Sequence, residues 1–353
     1  MIQGADSFTL SQIAELAGGR VSGDGDFVVV GVAPIRTASA NQLGLLADSR
    51  YLGDVESSGA GALLVSEALA EHVAADLRPK VVVQAPHLAM VPLLAKLDPT
   101  PRYEPGVHPT AVLEKGVVLG AGVSIGAYAV IEAGASIGDG TRIGHHCVIG
   151  RRTSIGSDCY LHAHVVVYAG AVIGDRVALH SGCRVGVDGF GYAFGDGRHN
   201  KVPQIGRMII GNDVEIGANT VLDRGSIGDT TIGDGTKLDN LVQIAHNSEV
   251  GRHVVMAALA GLAGSTVLED YVQMAGQSAT TGHLRVGKGA ILHPRAVPMR
   301  DVAPGAAVMG FPARDKNEQM RIHAAGAKLP DLIRKVRALE KEVAALKGGD
   351  DQA

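Results

Sequence analysis

Fourteen histidines are spread through the 353 residues. Imidazole is the side chain best matched to taking a proton near pH 7, and three imidazoles together can hold a zinc ion. Two groups have contexts that could support such chemistry. One is His246, in the string Gln243-Ile244-Ala245-His246-Asn247, followed by His283 in Thr280-Thr281-Gly282-His283. The other is the set His145, His146, His162, His164 and His180, which reads as either a metal-type cluster or surface corner residues. A third feature is Gly189-Phe190-Gly191-Tyr192-Ala193-Phe194-Gly195, where three of the chain's twelve Phe and Tyr residues fall within seven positions.

The scaffold that must place these residues is written in a period of six. From Val107 through Leu113, Leu119, Ile125 and onward to Leu179 and Val185, an aliphatic residue occupies every sixth position, fourteen times without a miss. The frame pauses between about Asp188 and Arg207, resumes at Ile210, slips once near Gly228 and runs to Leu292. A period of six fits neither a helix at 3.6 nor an amphipathic strand at 2, but it does fit a hexapeptide β-helix whose coils each take three such units. The fold class is therefore mainly β, a left-handed parallel β-helix. On this frame His246 sits at the edge of a face, and His283, 37 residues on, lies two eighteen-residue coils plus one position further. With strands about 4.8 Å apart the two share a flank, roughly 10 Å apart along the axis. Thr280 is the one non-aliphatic hexad start between Ile232 and Leu292, and a lapse in a packing rule beside a histidine marks a candidate site.

The rest of the chain divides around this prism. Residues 1–98 lack the repeat and read as a small α/β domain. A capped helix covers Thr9 to Gly19, strands fall at 28–30, 62–65 and 80–83, and a helix spans 66–77. Residues 99–106 form a Pro-rich linker, 107–312 the prism with a loop extruded near 188–207, and 313–347 C-terminal helices. There Leu329, Leu332, Val336, Leu339, Val343 and Leu346 make a heptad seam. Phe311 to Lys347 carries nine Lys and Arg against five acids, while the whole chain is at -4, a balance that argues against a nucleic-acid partner. The basic segment suits an acidic partner, and a solvated helix reads equally well. No leader and no membrane span is expected. Cys147, Cys159 and Cys183 all fall at the small fifth hexad place, so packing and a reducing compartment are expected.

The hexads resemble those of the homotrimeric hexapeptide-repeat acyltransferases. Gly189-Phe190-Gly191-Tyr192, Pro203-Gln204-Ile205-Gly206-Arg207, Asp223-Arg224-Gly225 and Gln243-Ile244-Ala245-His246-Asn247 resemble more closely one family, the UDP-3-O-(3-hydroxyacyl)glucosamine N-acyltransferases of lipid A synthesis. The resemblance implies an acyl-carrier-protein-dependent N-acyltransferase. In it a 3-hydroxyacyl chain, delivered on phosphopantetheine, passes to the 2-amino group of a UDP-sugar lipid. It implies a homotrimer with clefts between prisms, no bound cofactor or metal, and a cytoplasmic site near the inner membrane surface. It makes His246 the general base, His283 a group that stabilises the oxyanion or positions the thioester, and Asp239 a carboxylate that assists the base. It places Leu45, Asp48 and Tyr51 at the uridine nucleotide, with Leu45 where an aromatic is usual, and adds Asn247 to the substrate contacts and Arg300 to the acyl-carrier or pantetheine contacts. Ala263-Gly264 and Gly276 leave room for an acyl groove. Two other classes remain in view: a zinc lyase of the γ-carbonic-anhydrase type using the His145–His180 patch, and a non-catalytic trimeric prism.

Overall fold

A computed structural model of the chain describes residues 7–98, 104–310 and 313–349. Most of the Pro-rich connector, and Phe311 with Pro312, lie outside the described residues. The chain forms two compact units, 1–102 and 103–353.

In the first unit a five-stranded sheet runs in the order Arg20–Ser22, Lys80–Val83, Ala62–Ser66, Leu43–Leu46, Val32–Pro34. Only the first pair is antiparallel. Ala62–Ser66 and Lys80–Val83 are buried along their whole length, which is why both read as uninterrupted apolar runs. The helix Leu10–Ala17 starts in a capping box, in which Thr9 and Gln12 satisfy each other's backbone N–H, and ends at Gly18 with φ 63°. The helix expected over 66–77 is shorter: Glu67–Ala70 is α-helical and Glu71–Val73 tightens into a 3-10 turn.

The second unit is a parallel β-helix with three sheets of nine, eleven and eight strands. Most strands are two residues long, an outward residue followed by the hexad aliphatic. The register aligns each aliphatic with its counterpart eighteen residues away, as in Ile125 with Ile143 and Ile131 with Ile149. Those residues are 0–3% exposed, and each buried side chain of this size stabilises the prism by about 1.5–3 kcal/mol. All three cysteines are buried in the same core. The corners are tight turns whose second residue is left-handed, even where it carries a side chain: φ is 56° at His146, 65° at His164, 57° at Asn247 and 59° at His283.

Two insertions break the register. Val172 pairs with Ile209, because the segment between them extrudes a hairpin of Tyr192–Gly195 and Arg198–Lys201. Val221 pairs with Gln243, one coil on but 22 residues away, because four extra residues are accommodated at Gly225–Gly228. From Thr231 the eighteen-residue step returns, as in Thr231 with Glu249 and Gln243 with Gly261. The C-terminal segment is a single helix, Lys316–Gly349, rather than several, and the seam side chains Leu329, Leu332, Val336, Leu339 and Val343 are exposed along it.

Candidate active site

His246 and Asn247 form the corner between strands Gln243–Ile244 and Glu249–Val250. The same corner continues up the prism through Gly264–Ser265 to Gly282–His283. Ser265 N donates to His246 O at 2.9 Å, and His283 N donates to Gly264 O at 3.1 Å. The shared flank expected for the two histidines is thus present, and a full coil separates them. His283 is exposed, whereas His246 is half-buried.

Two glycines make room for the His246 ring. A methyl group added at Gly264 would lie 2.7 Å from Cε1 and 2.8 Å from Nε2. One added at Gly189, at the base of the hairpin, would lie 2.7 Å from Cβ and 2.9 Å from Cδ2. The hydrogen-bond network fixes the tautomer. Asn247 Oδ1 accepts from Ser226 N at 3.0 Å and from Ser226 Oγ at 2.8 Å, so this atom is the amide oxygen. The same oxygen is 3.3 Å from His246 Nδ1, which must therefore donate. The neutral ring then keeps its lone pair on Nε2, over Gly264, where a base would need it. Asn247, expected at the substrate, has this oxygen engaged within the chain.

The carboxylate that faces His246 within the chain is Asp223, whose individual role the sequence did not reveal. It is 7% exposed, and its Oδ1 accepts from Gln243 Nε2 at 3.1 Å. Burial pushes its carboxyl up to about 6, against the opposing effects of the Gln243 hydrogen bond and the His246 charge, while Asp188 adds a smaller upward push. The available signal was the Asp223-Arg224-Gly225 string itself. Gln204, from the hairpin's return, is also buried; its Nε2 donates to Val202 O at 3.0 Å, and its Oε1 has no partner among the described residues.

Asp239 lies elsewhere. It follows strand Lys237–Leu238 in a different sheet from Gln243–Ile244, is exposed, and accepts from Asn240 N at 2.7 Å and Ala258 N at 3.0 Å. In a single chain it ties one coil to the next and does not meet His246. Thr280 also differs from its reading. It points inward, 5% exposed, with its hydroxyl 3.0 Å from that of Thr266, so the lapse in the hexad is a buried hydroxyl pair and not part of the cleft. Arg300 is exposed beside a recess of about 350 Å³ formed with Val297, Met299 and Met309.

The second histidine group forms ladders. His146 stacks on His164 with ring centroids 5.0 Å apart, and His162 on His180 at 4.6 Å. Rings stacked face to face direct their nitrogens outward in parallel and do not converge. Among the described residues, no three His, Cys, Asp or Glu side chains of the chain are grouped to hold a metal.

In the first unit Leu45, Asp48 and Tyr51 line one cavity of about 690 Å³ together with Arg36, His87 and Met90. Asp48 caps the 3-10 turn Ser49–Asp54 and grips Arg50, whose Nη2 is 2.9 Å from Oδ2; the Arg50 hydrogen bond holds the Asp48 carboxyl below its usual range. Arg36 lies over the Tyr51 ring at 5.6 Å. Arg36, His87 and Met90 carried no motif by which sequence reading could single them out.

Comparison with known proteins agrees with this geometry. Residues 26–96 match the family profile described as UDP-3-O-(3-hydroxymyristoyl) glucosamine N-acyltransferase, LpxD, and residues 107–151 and 152–186 match the bacterial transferase hexapeptide repeat. A UDP-3-O-acylglucosamine N-acyltransferase of Methylobacterium sp. (strain 4-46) is 46% identical over 90% of this chain and 92% of its own length. One from Pseudomonas aeruginosa (strain LESB58) is 39% identical over 98% and 97%. The crystal structure of an Arabidopsis UDP-N-acetylglucosamine acyltransferase is similar with a TM-score of 0.53 and 27% identity, covering 58% of this chain and 71% of that one. Full-length relatives at this identity leave one assignment: the chain belongs to the UDP-3-O-acylglucosamine N-acyltransferase family, acyltransferases of lipid A biosynthesis.

Proposed function

We propose that this enzyme moves a (3R)-3-hydroxyacyl group from the phosphopantetheine thioester of acyl carrier protein to the 2-amino group of UDP-3-O-(3-hydroxyacyl)-glucosamine, with His246 as general base. The observation that carries this reading is the His246 corner. Asn247 holds Nδ1–H, Gly264 and Gly189 leave space for the ring, and Nε2 is left as a proton acceptor. The amine nitrogen attacks the thioester carbon, and as the new C–N bond forms its proton passes to His246 Nε2. The intermediate then collapses with cleavage of the C–S bond, and the imidazolium returns the proton to the leaving thiol.

His283, on the same flank, is assigned to the thioester end, where a donor stabilises the developing oxyanion. Asp239 and Arg300 are assigned to contacts made with a neighbouring subunit and with the carrier's pantetheine, in a homotrimer whose clefts lie between prisms. Asn247 is assigned to the substrate through the face of its amide not used by Ser226. The cavity of the first unit, with Tyr51, Leu45 and Asp48, takes the uridine nucleotide. No bound cofactor is assigned. No helix among the described residues is long and apolar enough to cross a membrane, and the reaction is placed in the cytoplasm near the inner membrane surface, where a soluble carrier meets a lipid-bearing sugar.

The test is transfer from 3-hydroxyacyl-carrier protein to the UDP-3-O-acyl-glucosamine acceptor, followed by product mass. His246→Ala should lower kcat by about 10²–10⁴-fold, and His283→Ala by less. Near-full activity of His246→Ala would overturn the base assignment.

A further inference from the structure

Among the described residues one carboxylate, that of Asp223, is buried, and the mechanism above does not use it. Asp223 ends strand Val221–Asp223 and pairs with Val187, just before the hairpin base whose Gly189 presses on His246. In the regular coils the same outward place holds Val187 one coil before and a small residue, Ala245, one coil after. An acid here is therefore not demanded by the fold, and burying it is unfavourable. What retains it is local: Gln243, three residues before His246 on the neighbouring strand, holds Oδ1 at 3.1 Å. The charged groups around it are few. His246 faces it from the next coil. Asp188 faces it from the hairpin base and is itself paired with Lys201 at 2.6 Å.

We infer that Asp223 is the positioning carboxylate of His246: buried and held by Gln243 on the strand that leads into the His246 corner, it stabilises the imidazolium that forms when His246 takes the amine proton. The inference rests on His246 being the base. Asn247 already occupies Nδ1, so Asp223 acts through the field across a poorly solvated gap, where a unit charge is far more effective than in water. The two supports divide the work: Asn247 sets which nitrogen accepts, and Asp223 sets how readily it accepts. Burial favours the neutral Asp223 carboxyl, and a proton arriving on His246 relieves this by supplying the missing counter-charge.

The experiment compares Asp223→Asn, Asp223→Glu, His246→Ala and the double variant in the acyl-transfer assay, as pH profiles of kcat/KM. Asp223→Asn should lower kcat by about 30-fold with little change in KM, less than the about 10²–10⁴-fold that loss of the base itself would bring. Its acid limb should move to lower pH by about one unit, because an anion that raised the imidazole's affinity for protons is gone. Asp223→Glu should restore part of the rate. The double variant should be no slower than His246→Ala.

Folding is checked by melting temperature. The folded carboxyl titrates near 6, above its unfolded value, so its contribution to stability is complete below about pH 4 and is lost as pH rises through 6. Asp223→Asn should therefore melt higher than the parent at pH 8. An unmoved acid limb, an unchanged kcat, or a double variant slower than His246→Ala would each overturn the proposal. An active His246→Ala would sink the base assignment together with it, whereas an inactive His246→Ala beside an unmoved Asp223→Asn limb would remove Asp223 alone.

Discussion

The prism places histidines at equivalent corners in two regions, with opposite results. At several corners of the regular coils the side chain of the first turn residue accepts the amide hydrogen of the coil below. His145 Nδ1 takes Ala127 N at 2.9 Å, as Asp139 takes Ala121 N and Asp175 takes Ser157 N. His246 occupies that first place too, but four residues inserted at Gly225–Gly228 displace the amide beneath it. The displaced amide, Ser226 N, is taken by Asn247 in the second place of the turn. The insertion therefore releases the imidazole from a structural duty and converts a cap into a group with a free nitrogen. The residue above differs as well: Ala163 stands one coil above His145, and Gly264 one coil above His246. A regular solenoid consumes its polar corners in holding coils together, and chemistry becomes available where the period is broken.

Restoring the regular pattern should therefore abolish the difference. Gly264→Ala installs at the site the residue that stands above His145, and its methyl would overlap His246 Cε1 and Nε2. The backbone there is not left-handed, so the fold tolerates alanine while the ring must turn away. The expected result is a loss of about 100-fold in kcat, equivalent to about 2.7 kcal/mol in the barrier, with a melting temperature close to the parent. An active Gly264→Ala enzyme would show that this ring position is not the working one.

The contrast also explains what could be read in advance. The period of six specified the three sheets, the inward rows and the corner places of His246 and His283, because in a solenoid every contact is with a residue a fixed distance away. The buried strands of the first unit were equally legible as unbroken apolar runs at Ala62–Ser66 and Lys80–Val83. Asp223 was not legible as a partner of His246, since it pairs with Val187 across a register shift at the point where the period stops, and no period predicts that. Thr280 was misread for a related reason: its partner Thr266 is fourteen residues away in the interior, and the pair is satisfied where an isolated hydroxyl would have signalled function. The helix expected over 66–77 ends early because a 3-10 turn takes over at Glu71.

His162 sharpens the comparison from the other side, because its titration should affect stability and not turnover. His162 is half-buried, stacked on His180, with Glu215 3.2 Å from the latter. Burial first, then the His180 charge, lowers its proton affinity, and Glu215 partly opposes them. The unfolded chain therefore binds more protons than the folded one below about pH 6.5. The melting temperature should fall as pH drops from 7 towards 5, and His162→Asn should flatten that fall while leaving kcat at pH 7.5 unchanged. If His162→Asn altered kcat and not the pH dependence of melting, the division between scaffold and catalytic histidines would be wrong.

The smallest expected effect lies in the first unit, whose cavity offers the phenol ring of Tyr51. Tyr51 is 38% exposed there with Arg36 over its ring, and Leu45, Met90 and Leu94 supply aliphatic surface. A uracil held in this cavity would stack on Tyr51 and meet aliphatic groups at Leu45, Met90 and Leu94. Stacking on an aromatic contributes about 1–3 kcal/mol per base, and replacing an aliphatic contact recovers only part of that. Leu45→Phe should therefore tighten UDP binding by about 3–10-fold, roughly 1 kcal/mol, measured by calorimetry on the full chain. Because the change is confined to nucleotide affinity, KM for the UDP-sugar should fall and kcat should stay the same. If Tyr51→Ala weakened UDP binding while Leu45→Phe left it unchanged, Leu45 would not face the base, and the aliphatic side of the clamp would pass to Met90.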